Sequence, residues 1–587
     1  MTTLSYPTPS PAVRAQRTNW LGLAFVAVIW GYYLILRLLD TESFVGFLSM
    51  LGVNLLMTLL FAVWWFTRRA FTRRQRFLAF AAALLTCCLF VGFSPFSLRP
   101  TLVLFGNPLV LTLGAVWILA TSRAASRMRM GGLFACIALG WGAFLLIRVN
   151  GTHGNMSADM HWRWTPTAEQ LYLAEQGKHP AAATRPAGRR IELRPGDWPG
   201  FRGPGRDGIV RGLSIALDWE KSPPAVLWRQ RIGPAWSSMA VVDGCVFTQE
   251  QRGGREAVVC RNALTGGEIW VHDRPARFEE SMSGVGPRAT PTFANGRIYA
   301  QGALGALDCL DAGTGALIWT RDIRADAGAA LPMWGFCASP LVVGDHVIVF
   351  AGGEGKKGLL AYPLDGGAPA WTADAGKVSY ASPQIFGNGA QRRIVMFANE
   401  GVFAVDAGTG RIVWDFPLQG GVGIPASIQA CQIGANDLVL GNGVAFGLQR
   451  ITIPPNAPSA TRIWITRKMK PSFSDMVYYN GYLYGFDGTV FCCIDASTGA
   501  RRWRDGHYGA GQVVLLADQG VMIVSSEDGQ VVLLRCNPDR HEELGQIQAI
   551  TGKAWNHPAV AGDRLYVRSD GEMACIQLVA SGGSRGR

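Results

Sequence analysis

The stretch Asp311-Ala-Gly-Thr-Gly-Ala-Leu-Ile-Trp319 decides the reading of this chain. Its spacing returns at Asn262–Trp270 (NALTGGEIW), Asp406–Trp414 (DAGTGRIVW) and Asp495–Trp503 (DASTGARRW). In each copy one apolar run, such as Ala306–Leu310, leads into the Asp or Asn and a second leads to the Trp. Alternating apolar residues on both sides of a Thr-Gly turn predict two strands joined by a hairpin. The glycine supplies a positive φ, the Asp or Asn bonds nearby backbone N–H groups, and the Trp is a large anchor. Copies at intervals of roughly 40–50 residues describe one small sheet repeated many times.

Outward from these copies, further outer strands end at Trp228, Trp371 and Trp464, with a Trp-less one near Leu544–Ile550. A last unit, Pro558–Leu578, lacks its outer strand, while Ala225–Ile232 is an outer strand with no unit of its own. Pairing the two closes a ring of four-stranded sheets over residues 196–578 and covers both edges. The expected fold class is therefore an all-β eight-bladed β-propeller, with seven blades left open by the degenerate seventh and eighth units. Trp270, Trp319, Trp414 and Trp503 recur once per unit. A residue needed once for chemistry would not appear in every unit, so these are read as structural contacts between blades. Cys260, Cys309, Cys493 and Cys575 share one strand position with Ala404 and are expected to be small core residues. Nine of the 12 cysteines lie after the membrane segment, an odd number that excludes complete internal pairing. The neighbours Cys492 and Cys493 point to opposite faces of a strand, which disfavours a redox pair.

With 587 residues the chain exceeds one ordinary core. Its composition divides near residue 150. The first part carries 13 Arg, no Lys, Asp40 and Glu42, whereas the rest holds 42 basic and 40 acidic residues. A near-neutral second part offers no electrostatic footprint for phosphates, so a nucleic-acid partner is not expected. Trp20–Leu36, Phe44–Phe66, Phe77–Phe93, Leu102–Ala120 and Gly132–Val149 are each long and apolar enough to span a bilayer as helices. Arg14 and Arg17, then Arg68 to Arg76, then Arg123 to Arg129 fall in alternate loops. The positive-inside rule puts the N-terminus in the cytoplasm and everything after the fifth crossing outside, in the periplasm of a bacterial inner membrane. No small-residue cleavage site follows the first span, which is read as a retained anchor. Residues 1–150 are thus expected to form a five-helix membrane domain, 151–195 a linker with a short helix near Thr167–Gln176, and 579–587 a disordered tail.

The repeated D-A-x-T-G-x-x-x-W unit and the opening Asp197-Trp-Pro-Gly-Phe-Arg-Gly-Pro-Gly-Arg-Asp-Gly208 resemble the pyrroloquinoline-quinone (PQQ)-like β-propeller repeat proteins. That superfamily includes quinoprotein alcohol and glucose dehydrogenases and the propeller lipoprotein of the outer-membrane β-barrel assembly machinery. The five spans before the propeller look like membrane glucose dehydrogenases. The Arg-Tyr-Ser-Pro-Leu segment that follows the entry motif in quinoprotein dehydrogenases is absent after Gly208.

Sheet twist opens one end of such a ring as a funnel. The loops entering the inner strands would gather there Trp236, Ser237, Glu279, Glu280, Arg288, Trp334, Tyr380, Phe473, Asp475, His507, Tyr508, Trp555, Asn556 and His557. Turns between second and third strands add Glu400, Asp487, Asp528 and Asp570 at the same end. If the chain were a dehydrogenase, the resemblance implies PQQ and calcium; the rim offers Glu280, Arg288, Trp334, Trp555, Asn556 and His557 as residue types suited to hold them, none matched to the family's cofactor motifs residue by residue. Asp475 or Asp487 would then be the base removing the alcohol proton. The leading expectation is a membrane-anchored propeller whose rim binds a ligand or an envelope protein. The alternative is a quinoprotein dehydrogenase passing electrons from an alcohol or sugar to membrane quinone.

Overall fold

The computed structural model describes residues 11–38, 44–95, 98–178, 189–387, 392–418, 426–443, 445–453 and 457–580. They form two compact units, one comprising Met1–Thr165 with Glu280–Gly284 and the other Pro166–Glu279 with Val285–Arg587.

In the first unit five helices are long and apolar enough to cross a membrane. We label them α1 (Pro11–Leu38), α2 (Phe44–Phe66), α3 (Arg73–Phe93), α4 (Arg99–Ala120) and α5 (Ser126–Leu146). Helix α4 carries a π turn at Leu102–Gly106, which releases carbonyls from the regular ladder. The Asn54 amide donates to Val103 O at 2.8 Å and the Tyr33 hydroxyl to Leu104 O at 3.0 Å, so side chains of α2 and α1 satisfy these two carbonyls. The fifth span stops at Leu146, short of the expected Val149. Ile147–Thr152 instead begins a hairpin completed by Ala158–Trp162.

The second unit is an eight-bladed propeller, which closes the question between seven and eight. Blade 1 is Ala240–Val242, Cys245–Arg252, Arg255–Asn262 and Glu268–Pro275, all antiparallel neighbours. Blades 2 to 7 follow in order, each with its innermost strand first. Blade 8 takes its outer strand from Ala225–Arg231, with Cys575 opposite Trp228. Closure by the two ends of the ring satisfies the edges that an open sheet would expose.

The Trp residues join neighbouring blades. Indole N–H groups of Trp228, Trp270, Trp319, Trp371, Trp464 and Trp503 donate to Ala263, Ala312, Leu364, Ala407, Ala496 and Asn537, each in the next blade, at 2.8–3.1 Å. Gly315 shows why glycine follows the Thr: its φ is +70° and an added Cβ would lie 2.5 Å from the Trp270 ring. Trp414 is buried against Phe386 of its own blade. The cysteine reading also holds. Cys260, Cys309, Cys493 and Cys575 each sit directly opposite a Trp, and every cysteine is a free thiol. In blade 7 the Trp position is Gly545, opposite Leu533, and Trp219 from the segment before the ring packs on it. An indole is thus supplied from outside the blade, a substitution with no signature in the repeat spacing.

Part of the segment read as a linker belongs to the propeller unit. Helix α6 (Ala168–Lys178) places the Tyr172 hydroxyl 2.6 Å from Glu250 Oε1 of blade 1. Glu250 is fully buried between Arg252 (2.6 Å) and Arg261 (3.6 Å). Burial works against its ionised form, but the two guanidiniums and the hydroxyl hold its carboxyl down at about 2. Tyr172→Phe removes one donor to a buried charge and should cost about 1.5–3 kcal/mol of helix docking. Hydrogen exchange over Ala168–Lys178 is expected to accelerate accordingly, and unchanged protection would show the helix is held otherwise. Of the expected tail, Val579 and Ala580 pair with Ala216 and Ile215, and residues 581–587 lie outside the described set.

Candidate functional site

The residues just before each inner strand form a belt around the propeller axis. The backbone N–H of Ser238 donates to Thr290 Oγ1 (3.1 Å), that of Thr290 to Ser339 Oγ (2.9 Å), and that of Ser339 to Ser382 Oγ (2.8 Å). Gln429 N–H donates to Asp475 Oδ1 (2.6 Å), Asp475 N–H to Gln512 Oε1 (3.1 Å), and Ser238 Oγ to His557 O (2.6 Å). Each bond crosses from one blade to another. Buried N–H groups at the crowded axis must find acceptors, and short polar side chains of the neighbouring blade supply them.

The entry motif fills the axis beside this belt. Trp198 exchanges backbone bonds with Val241 (2.7 and 2.8 Å), Pro199 O accepts from Phe293 N–H, and Ile209–Val210 runs parallel to the inner strand of blade 7. Two arginines in the left-handed region, Arg202 (φ +58°) and Arg206 (φ +53°), project from it, a backbone cost their bonds must offset. Arg206 reaches Pro383 O (2.7 Å), Ser339 O (3.2 Å) and Thr292 Oγ1 (3.2 Å), binding blades 2, 3 and 4. Arg202 donates to Met476 O (2.9 Å) and lies 3.4 Å from Asp475 Oδ1. His557 Nε2 is 2.8 Å from Asp475 Oδ2, and Phe201 packs edge-on against the imidazole at 4.9 Å. Burial pushes the Asp475 carboxyl up, but Arg202, His557 and the Gln429 N–H bring it below the ordinary carboxylate range. Burial carries His557 the other way, below the ordinary imidazole value, against the pull of Asp475.

Beyond the belt lies an aromatic cluster. Trp555 packs on Trp236 (4.7 Å) and Phe473 (4.8 Å), and its indole donates to the buried Glu527 at 2.9 Å. The Lys553 ammonium sits 4.8 Å above Trp555 and 5.6 Å above Trp236, a cation–π arrangement. Trp334 and Tyr380 form a second pair, ring to ring at 4.9 Å, the Tyr380 hydroxyl accepting from the Trp334 N–H. These aromatics are half-buried and all precede inner strands.

The site residues named from sequence therefore separate. Asp475, Trp555, Asn556 and His557 come together at the axis, and Trp334 joins Tyr380. Asn556 donates to Ser237 O at 2.7 Å and leaves its own buried oxygen without a partner. Asp487 is spent inside blade 6 on Arg504 (3.0 Å), Arg501 (3.4 Å) and the Lys470 N–H (3.0 Å). Arg288 bonds Gly286 O and stacks over Phe278. Glu280 belongs to the first unit, where it accepts from Met282 N–H at 2.6 Å and closes its own turn. Arg202, Arg206 and Lys553 were not singled out from sequence. Two positive-φ arginines inside a Gly-rich run carry no periodic signal.

The charged groups at the axis are engaged with one another and with backbone carbonyls. Calcium takes six to eight oxygens, yet among the described residues no three His, Cys, Asp or Glu side chains cluster to hold a metal ion. Both Asp475 oxygens are occupied, and Arg202 and Arg206, which could meet quinone carboxylates, are committed to backbone carbonyls and Asp475.

A family model described as outer membrane protein assembly factor BamB matches residues 254–424. The fold is an eight-bladed β-propeller. Solved structures similar to it include BamB from Moraxella catarrhalis (16% identity, 60% of this chain and 99% of that one, TM-score 0.45). Quinohemoprotein alcohol dehydrogenase from Comamonas testosteroni is also similar (13% identity, 72% and 85%, TM-score 0.48). So is the computationally designed protein Ika8 (12% identity, 59% and 98%, TM-score 0.43). No curated protein matches the chain.

Proposed function

We propose that this protein is a membrane-anchored binding propeller, held on the periplasmic face of a bacterial inner membrane, whose mouth takes a protein partner in envelope assembly or maintenance. The observation that carries this reading is the pairing of a sealed axis with an aromatic mouth. The belt and Arg202 leave the floor rigid and ionically satisfied, so recognition falls to Trp236, Trp555, Phe473, Trp334 and Tyr380. Half-buried Trp and Tyr on a rigid frame offer large contact area at low entropic cost, the profile of interface anchors. The match of residues 254–424 to an outer-membrane assembly factor supports the same class of role.

The test is cross-linking in native envelopes followed by affinity capture of the full chain. Trp236→Ala with Trp555→Ala is expected to lose the captured partner by at least tenfold while thermal stability stays within a few degrees. Retained partners would move the contact surface elsewhere. In parallel, titration with PQQ and calcium is expected to produce neither a quinone absorbance band nor dye-linked oxidation of alcohols or sugars. Saturable binding with turnover would replace the binding reading with a dehydrogenase.

A further inference from the structure

Trp162 and Trp164 stack on one another, ring centroids 5.0 Å apart and planes within 7°, yet remain 50% and 66% exposed. Exposing two indoles together is unusual unless something covers them, because each offers a large apolar face and one polar N–H. Their position in the chain identifies the cover. They close the hairpin that begins at Ile147, the first residue after α5. Trp162 is in register with Ile147, Arg163 N–H donates to Leu146 O (2.9 Å) and its Nε to Ile147 O (3.1 Å), and Arg148 reaches back to Thr165 O (2.5 Å). The hairpin is thereby pinned to the end of the span, and its indoles are held level with Leu145 and Leu146, which are also half exposed.

We propose that the Trp162–Trp164 pair is an interfacial anchor, seated in the headgroup–acyl boundary of the bilayer that α5 leaves. Amphipathic rings favour that layer, with the face among acyl carbons and the N–H among ester and phosphate oxygens. Arg148 and Arg163 lie in the same hairpin, and guanidiniums near a membrane surface are attracted to anionic lipid phosphate. The anchor fixes the height of the chain's exit from the membrane, which a lone helix end cannot do. It rests on the reading of α5 as a span.

The test uses the full chain in phosphatidylcholine–phosphatidylglycerol nanodiscs, with p-benzoylphenylalanine placed singly at Trp162, Trp164, Leu139 and Leu264. Leu139 is 69% exposed within α5 and Leu264 is 55% exposed on blade 1. Irradiation is expected to add one phospholipid mass at positions 162, 164 and 139 and none at 264. Lipid at 139 with none at 162 and 164 overturns the anchor and leaves the span intact. No lipid at 139 overturns the span, and the anchor with it. A protein adduct in place of lipid at 162 and 164 in whole membranes assigns the pair to a partner instead. As an independent measure, the emission lost in the Trp162→Phe/Trp164→Phe variant should be the fraction quenched by chain-brominated lipid, and an unquenched difference overturns the proposal.

Discussion

Asp475→Ala is expected to destabilise the propeller by about 3–5 kcal/mol, the usual cost of stranding a buried partner charge. Its carboxylate is almost fully buried and serves three clients at once: the Gln429 N–H of the belt, Arg202 of the axial segment, and His557. Removing it leaves a buried guanidinium without its counter-charge and opens one link of the belt. Asp475→Asn should cost less, since its amide oxygen can still accept from the Gln429 N–H while the second acceptor and the charge are lost. Thermal unfolding of the full chain in detergent, followed by Trp emission, checks both. A change below about 1 kcal/mol for the Ala variant would mean that the axial network carries little of the stability.

The same network makes stability depend on pH with a defined sign. His557 is held neutral, its folded value below that of the unfolded chain. Below about pH 6.5 the unfolded chain therefore binds the extra proton, and stability falls with acid by up to about 1.4 kcal/mol per pH unit. Asp475 is also depressed, so its contribution is present above about pH 3.9 and is lost only as pH falls through its lower folded value. His557→Gln is expected to flatten the slope between pH 6.5 and 5, while the steeper acid limb persists. An unaltered slope would place the titrating group elsewhere.

Trp270→Ala should cost a further class of stability, about 3–5 kcal/mol, by removing a large aromatic from an interblade seam. The side chain is 5% exposed, lies flat on Gly315 of blade 2 and donates to Ala312 O at 3.0 Å. Trp270→Phe keeps most of the area but orphans that carbonyl, and about 1–2 kcal/mol is expected. The comparison separates packing from hydrogen bonding in the same unfolding assay. Equal losses for Phe and Ala would show that the indole N–H, not the ring area, holds the seam.

The chain's own order of residues determined the repeat, the eight closing strands and the five apolar spans. Each of these is a periodic property: a turn residue that must be glycine, a Cys or Ala opposite six of the seven outer-strand Trp residues, or an uninterrupted apolar length. Periodicity survives in sequence because many positions obey it independently. The site behaved differently. Asp475, Trp555, Asn556 and His557 could be placed together from sequence, because they occupy the same place before an inner strand. Their roles were not legible, since an Asp on a polar loop looks the same whether it faces solvent or an arginine arriving from residue 202. Asp487 and Arg288 could not be told from rim ligands until their partners within one blade and one loop were visible. Trp219 over Gly545, Tyr172 on Glu250 and the two left-handed arginines were decided only by tertiary structure, because each joins residues far apart in the chain through a single contact. One contact made once leaves no pattern, and only the closed ring brings its two halves together.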